Sequence, residues 1–468
     1  MKVHQDGTIT NSFYVDGHKV AMFADQSHLM KSVRNMLFKH NFILAPETVQ
    51  KYGLPSDIVS LLPIIELAKW QSTRFFKIAP HLDDSCFVEG SFSKMKVKPA
   101  QSLLSRETAS AIRTLVHYHG KPQWWLTTAW FCDNAGQWSD IMSSRHAKWA
   151  FSLKKEDKYL EIKQFLADFM EDVRTMKVGD SFKPIQTGIM LTNTSMVEMS
   201  EFYLREKNHE TLLGSVFSTD ALENTNMQIR DKNKAPTALE VLYIIRTLVA
   251  SNFTKKKFKG NCQDDQSQWL TTLEEIRRLK TPEDMTAEER EDIDFIMGSE
   301  GIEDRSEAYA FTCFLGCLFK RTICTKSYCA KCLQVLKKKD DEAMQLDKLI
   351  KLKEYTSGAL FPPSNIAYKF FSLVENSVSE NPSVYRDGIV VWNAFIDKMV
   401  GVANDKFPEI PPCHLHLIVN RFMHMRAHFW TKFLNQKRRS DERLAKDQKK
   451  KEKAASHASK SVMGYYIP

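Results

Sequence analysis

The sequence predicts a mostly α-helical protein that opens with a short, incomplete α/β segment and ends in a helical C-terminal domain. Apolar residues recur every three to four positions through most of the chain, and only the apolar run at residues 18–24 is typical of a strand. The 468 residues are 43% hydrophobic and 26% charged. That composition is ordinary for a globular protein, and the length suggests about three domains.

The opening segment, residues 1–50, has the pattern of half a βα unit. A turn at Asp16-Gly17 precedes the apolar run, which we expect to be a buried strand ending at Asp25. A helix with one apolar face follows. Because no βαβ pattern precedes Asp25, the α/β domain is expected to be incomplete.

The middle of the chain is expected to be helical, with residues 51–205 as one helical region. Ala109, Ile112 and Leu115 form one of its apolar stripes, and five of the nine tryptophans lie within 124–149. Clustered tryptophans more often pack a core than bind a ligand. Residues 206–254 are expected to be helical again, with the helix interrupted at Pro236.

The remaining boundaries follow from charge. Residues 255–307 are expected to be a polar, acidic linker, because 281–307 hold eleven acidic and two basic residues. Residues 308–435 are expected to form the helical C-terminal domain. Residues 436–468 are expected to be a basic, disordered tail, with nine Lys/Arg against four Asp/Glu in 437–453.

Composition and the absence of several motifs limit the classes of protein to which this sequence can belong. The longest apolar stretches fall short of the ~18–20 residues that span a bilayer, and the first residues lack the apolar core of a signal peptide. Nine cysteines, an odd number, suggest reduced thiols. With a net charge of +9, we expect a nuclear protein that binds DNA and does not bind membranes. The sequence lacks a P-loop, a nucleophile elbow and a zinc-protease motif.

Two acidic positions are candidates for a magnesium site. Asp25 directly precedes a predicted helix, and Asp220 and Glu223 lie three apart at the start of another, with Arg230 on the same face. Carboxylate oxygens are the preferred Mg²⁺ ligands. The alternative is structural: Asp25 caps its helix, and Asp220 and Glu223 form a capping box.

Cysteines provide a candidate zinc site. Cys324, Cys329 and Cys332 supply three thiols, and Cys317, His414 or His416 is a candidate for the fourth ligand of a tetrahedral ion. The alternative is a set of free thiols in a helical core.

Basic residues near the acidic positions are candidates for DNA contact. Lys31, Arg34 and Arg230 are expected to contact phosphates, together with residues 255–259 and the basic tail. The alternative for each lysine run is a solvated surface.

Several stretches, in order, resemble motifs of the P-element-type DNA transposases, which include the THAP-domain transposases. The three main ones are residues 24–35 (ADQSHLMKSVRN), 95–101 (MKVKPAQ) and 220–230 (DALENTNMQIR) followed by Pro-Thr-Ala at 236–238. Weaker similarities lie at 138–145, 184–188, Cys329-x2-Cys332, 358–360 and 363–364.

This resemblance implies an RNase H-like fold interrupted by a helical insertion that binds GTP, and Mg²⁺-dependent DNA cleavage and strand transfer. Asp25 matches the second catalytic carboxylate and Glu223 the last, both as Mg²⁺ ligands. Residues 1–50 match part of the RNase H-like domain and residues 206–254 its C-terminal segment. Residues 51–205 match the insertion, and Asp140 matches a position near its nucleotide. The resemblance further implies a homo-oligomer on DNA.

The sequence also departs from the family. The first catalytic aspartate and the THAP zinc finger have no counterpart before Asp25, so we expect a truncated or domesticated transposase body with reduced or no activity. It is expected to retain DNA and GTP binding. The alternative is a non-enzymatic nuclear protein that binds DNA or other proteins.

Overall fold

The computed structural model describes residues 9–74, 76–83, 86–87, 96–145, 150–179, 181–254, 305–324, 329–338, 345–354, 360–381, 383–386 and 389–428. The chain forms two compact units, one of Met1–Leu67 with Ser85–Trp269 and one of Ala68–Asp84 with Leu270–Pro468. The expected mostly helical architecture is confirmed. Across the part of the chain described, no helix is both long and apolar enough to cross a membrane.

The first unit begins with a β-hairpin. Strands β1 (Ser12–Val15) and β2 (His18–Ala21) pair antiparallel, with Ser12 opposite Ala21. Asp16 and Gly17 form the two-residue turn at φ 46° and 77°, as the positive-φ turns of tight hairpins require. The expected buried strand reaching Asp25 is wrong: β2 ends at Ala21 and is mostly exposed, because it pairs with the preceding residues at the surface.

A second, small sheet lies in the same unit. β3 (Phe42–Ile43) pairs antiparallel with both β4 (Ile58–Val59) and β5 (Lys177–Val178). Within the described residues, all strand pairs of these two sheets are antiparallel.

Ten helices of the first unit surround these strands within the described ranges. They are α1 (Gln26–Leu37), α2 (Pro46–Tyr52), α3 (Leu62–Gln71, which ends in the second unit), α4 (Val97–Leu103), α5 (Arg106–Tyr118), α6 (Trp125–Met142), α7 (Glu156–Thr175), α8 (Pro184–Glu201), α9 (Asp220–Lys232) and α10 (Ala238–Thr254). The break between α9 and α10 contains Pro236, where the sequence predicts it.

Helix α1 lies in the core of this unit, against α4, α6 and α8. At Gly188 of α8 an added Cβ would lie 2.6 Å from Leu29 Cδ2, so the absence of a side chain there allows α1 and α8 to approach closely. The indole of Trp138 on α6 is buried and donates to Asn193 Oδ1 on α8 at 2.7 Å. Trp138 therefore packs the core, as expected of the tryptophan cluster.

The second unit is also helical. Its helices are α11 (Arg305–Phe319), α12 (Ala330–Leu336), α13 (Lys348–Lys353), α14 (Asn365–Glu380), α15 (Ser383–Arg386), α16 (Ile389–Lys406) and α17 (residues 415–428). Phe311, Phe371 and Phe422 are fully buried and pack ring against ring in its core. Most of the expected linker and all of the expected tail lie outside the described residues.

Candidate functional site

Asp25 links the starts of two helices. It is the N-cap of α1, where Oδ2 accepts from the His28 N–H at 3.1 Å. Oδ2 also lies 2.8 Å from His28 Nδ1, and Oδ1 accepts from the N–H of Thr219, the N-cap of α9, at 3.0 Å. The capping alternative is therefore correct for Asp25, and the same carboxylate also holds a segment distant in the sequence.

The carboxyl of Asp25 stays ionised at neutral pH. Burial acts to raise its pKa, but hydrogen bonds from Thr219 and His28 favour the charged form more strongly. The pKa of Asp25 is therefore below its usual value. A half-buried anion held by fixed donors is a suitable ligand for a cation.

Glu223 does not cap α9. A capping box has its acidic residue at the third helical position. Because Thr219 is the N-cap of α9, Glu223 lies one residue beyond that position. The capping-box alternative is therefore wrong. The Glu223 side chain is half exposed, and its Oε1 lies 3.8 Å from His28 Nε2.

His28 thus lies between the two predicted carboxylates, with Nδ1 facing Asp25 and Nε2 facing Glu223. Neither His28 nor Thr219 is among the site residues predicted from sequence. Asp25 and His28 are three apart within the motif at 24–35, a spacing that places both at one helix start. Two carboxylates and an imidazole provide oxygen and nitrogen donors for a divalent cation.

The three predicted DNA contacts differ in accessibility. Lys31 on α1 is half-buried, and Arg230 on α9 is exposed. Arg34 is only 2% exposed: its Nη2 and Nε donate to the Cys86 carbonyl at 2.7 and 3.2 Å. The expected phosphate contact from Arg34 is therefore not available in this structure, because the guanidinium is used inside the unit.

Asp140 lies near the end of α6. More than a third of the residue is accessible to solvent, yet its carboxyl is closely surrounded by protein. This desolvation raises its pKa, with Arg106 acting against the change and Glu107 adding to it. The predicted nucleotide contact of Asp140 stays a prediction, because its surroundings show only this partial desolvation beside Arg106 and Glu107.

A group of potential metal ligands lies in the second unit. Cys329, Cys332, Cys413 and His414 have their donor atoms within 4.8 Å of one another. Cys317 is exposed and does not belong to this group, so it is not the fourth ligand. His416 lies 3.5 Å from Asp397 instead, and the side chain of Cys324 lies outside the described residues. Sequence analysis did not identify Cys413, since no local motif contains it.

Comparisons with known proteins support the resemblance. Residues 27–156 match the family model of the TNP-like, GTP-binding insertion domain. The transposable element P transposase of Drosophila melanogaster is 25% identical over 265 residues, which are 54% of this chain and 34% of that protein. The chain therefore spans about a third of that relative's length. The predicted resemblance to P-element-type transposases is confirmed, and within it residues 27–156 are similar to the TNP-like, GTP-binding insertion domain.

A solved structure, the Drosophila P element transposase strand transfer complex, is also similar. Its TM-score is 0.45 at 23% identity, over 53% of this chain and 56% of that chain.

Proposed function

We propose that this chain is the body of a P-element-type transposase, in which Asp25 and Glu223 bind Mg²⁺ beside DNA and the helical insertion binds a guanine nucleotide. The observation that carries the proposal is the meeting of Asp25 and Glu223 at His28, although they lie at opposite ends of the first unit's sequence. Under this proposal the hairpin, Asp25 and α9 are parts of an RNase H-like domain, and the protein acts in the nucleus.

Asp25 and Glu223 offer carboxylate oxygens, the ligands that Mg²⁺ prefers, on either side of the His28 imidazole, and Asp25 is ionised. An ion that joins the two carboxylates would take the place that the imidazole has in this structure. When bound, Mg²⁺ supplies charge stabilisation to the oxygens of a reacting phosphate. The chain's own residues position the ligands: the Thr219 N–H fixes one Asp25 oxygen, and His28 holds the other at the start of α1. The resemblance assigns three carboxylates to the family site and matches two of them to residues of this sequence, Asp25 and Glu223.

Mn²⁺ titration of the purified chain tests the metal site. Asp25→Asn keeps a helix-capping residue but removes the charge and one of the two acceptor oxygens, so we expect weaker Mn²⁺ binding together with some loss of stability. Glu223→Gln is expected to weaken binding as well. Glu210→Gln is the matched control, since Glu210 is exposed and pairs with Lys154 elsewhere. Unchanged Mn²⁺ affinity in Asp25→Asn would exclude the site.

Asp140 supports the nucleotide proposal, because it lies within the matched residues 27–156 and reaches solvent at the end of α6. An ionised carboxylate accepts hydrogen bonds, and guanine presents an amino group that adenine lacks at that position. Asp140→Asn should therefore lower GTP affinity and raise affinity for xanthosine triphosphate, which has a carbonyl there. Glu47→Gln is the control, because Glu47 is exposed on α2 within the same matched residues. Equal GTP binding by the wild type and Asp140→Asn would exclude this role for Asp140.

Lys31 and Arg230 support DNA binding, because both flank the Asp25–Glu223 site on α1 and α9 and both reach solvent. Each phosphate contact contributes about −0.9 to the slope of log K against log salt. Lys31→Ala and Arg230→Ala are each expected to reduce that slope by about 0.9, whereas Lys154→Ala should leave it unchanged. A slope that neither variant changes would exclude these contacts.

A second candidate function is a non-enzymatic nuclear protein that binds DNA. This candidate is favoured because both carboxylate oxygens of Asp25 already accept hydrogen bonds from the backbone N–H groups of Thr219 and His28. Under this alternative Asp25 is only structural, and the Mn²⁺ titration of Asp25→Asn separates the two candidates.

A further inference from the structure

We propose that Cys329, Cys332, Cys413 and His414 form a structural zinc site in the second unit. These four side chains offer three sulfur atoms and one imidazole nitrogen, all within 4.8 Å of one another. Three cysteines and one histidine form one of the common ligand sets of closed, tetrahedral zinc sites. This site is independent of the Asp25–Glu223 site and of the nucleotide proposal.

Four of the six distances between the donor atoms are close to those of a zinc tetrahedron, and the other two are within 4.8 Å. With Zn–S near 2.3 Å and Zn–N near 2.0–2.1 Å, tetrahedral geometry places two sulfurs about 3.8 Å apart and a sulfur and nitrogen about 3.6 Å apart. Cys413 Sγ lies 3.9 Å from Cys329 Sγ and 3.5 Å from Cys332 Sγ. His414 Nδ1 lies 3.6 Å from Cys332 Sγ and 3.3 Å from Cys413 Sγ.

The ligands come from two distant segments. Cys329 directly precedes α12 and Cys332 lies in its first turn, whereas Cys413 and His414 belong to the short 3-10 helix Pro412–His414 that leads into α17. Cys332 is fully buried, Cys329 and His414 are half-buried, and Cys413 is exposed. An ion at this place would join α12 to the start of α17 and stabilise the second unit.

A disulfide is the competing explanation for neighbouring thiols. The sulfur separations of 3.5 and 3.9 Å are far above the ~2.05 Å of a disulfide bond. A disulfide would join two sulfurs and leave the third thiol and His414 without a role, whereas a metal ion uses all four donors. Zinc binding requires thiolates, so up to three protons pass from the cysteines to solvent as the ion binds.

Zinc content of the full chain, purified under reducing conditions, tests the proposal. We expect about one zinc ion per chain in the wild type and in the Cys317→Ser and His416→Ala controls. Cys329→Ser, Cys413→Ser and His414→Ala should lose stoichiometric zinc. A wild type that holds no zinc, even after reconstitution with Zn²⁺, would overturn the proposal, as would loss of zinc in both controls.

A second measurement covers variants that fail to fold. In the wild-type protein, alkylation followed by peptide mass mapping should show Cys329, Cys332 and Cys413 protected until a chelator is added, whereas Cys317 is labelled throughout. Co²⁺ substitution should give the visible absorption of a tetrahedral, thiolate-bound ion. A mapped disulfide between Cys413 and Cys329 or Cys332 in the reduced preparation, or chelator-independent labelling, would refute a zinc site.

Discussion

Gln26 and Ser139 are joined by a buried hydrogen bond, from Nε2 to Oγ, at 2.7 Å. Gln26 directly follows Asp25, and Ser139 directly precedes Asp140. The bond therefore ties the start of α1, with its predicted metal ligand, to the part of α6 that carries the predicted nucleotide contact. One contact between segments 113 residues apart thus brings a neighbour of Asp25 against a neighbour of Asp140.

Breaking this bond should destabilise the first unit. Gln26→Leu or Ser139→Ala leaves a buried polar partner unsatisfied, at a cost of about 1–3 kcal/mol. We expect the two effects to be non-additive by at least about 0.5 kcal/mol in urea unfolding of the single and double variants. Ser143→Ala is the control, because that hydroxyl donates to a carbonyl of its own helix. Strictly additive effects would show that the bond contributes nothing.

Arg34 should contribute to the free energy of unfolding of the protein. Arg34→Met removes both donors to the buried Cys86 carbonyl and the guanidinium over the Phe38 ring. We expect a loss of about 1–3 kcal/mol in unfolding free energy. Lys31→Ala, one turn earlier on α1, should change stability by less than about 0.5 kcal/mol. Chemical denaturation compares the two variants, and a weaker effect for Arg34→Met than for Lys31→Ala would contradict this assignment.

A buried ion pair stabilises the second unit. Arg426 Nε donates to both oxygens of Glu375, at 2.6 and 2.7 Å, and both side chains are 4% exposed. Arg426→Met alone leaves a buried charge without a partner, so we expect a loss of about 3–5 kcal/mol. The double variant Glu375→Leu/Arg426→Met should recover much of that loss. Glu198→Gln, in the exposed pair with Lys19, should cost less than about 1 kcal/mol.

Denaturant titrations that give the unfolding free energies of Arg426→Met, the double variant and Glu198→Gln test this prediction. A double variant that is as unstable as Arg426→Met would mean that the packing of the two side chains, and not their charge, stabilises this region.

Glu201 should make stability depend on acid pH. Burial raises its pKa, but hydrogen bonds from Lys163, Tyr159 and Arg205 outweigh burial and lower the pKa to about 2. A folded pKa below the unfolded value stabilises the protein above about pH 4.5, and this stabilisation is lost as pH falls through about 2. Because the pair with Lys163 is partly solvated, we expect a contribution of at most about 1 kcal/mol.

The difference in unfolding free energy between the wild type and Glu201→Gln measures this effect. It should be largest near neutral pH and decrease toward pH 2–3, where the wild-type carboxyl gains its proton. A difference that stays constant over this range would assign the effect of the variant to packing.

The local features of the fold could be predicted from the sequence. The turn at Asp16-Gly17 and the break at Pro236 depend on backbone preferences of single residues, and the structure has both. The helices follow from apolar spacing, which acts within a few residues. The exposure of β2 could not be predicted in this way, because it depends on the strand with which β2 pairs.

The sequence by itself determined the helices, the two acidic candidates Asp25 and Glu223, and the resemblance to P-element-type transposases. Only the tertiary structure decided that His28 lies between those carboxylates, that Arg34 is buried against Cys86, and that Cys413 and His414 meet Cys329 and Cys332. The physical reason is range: spacing along the chain fixes which residues share a helix face, whereas contacts between distant segments arise only when those faces pack against one another.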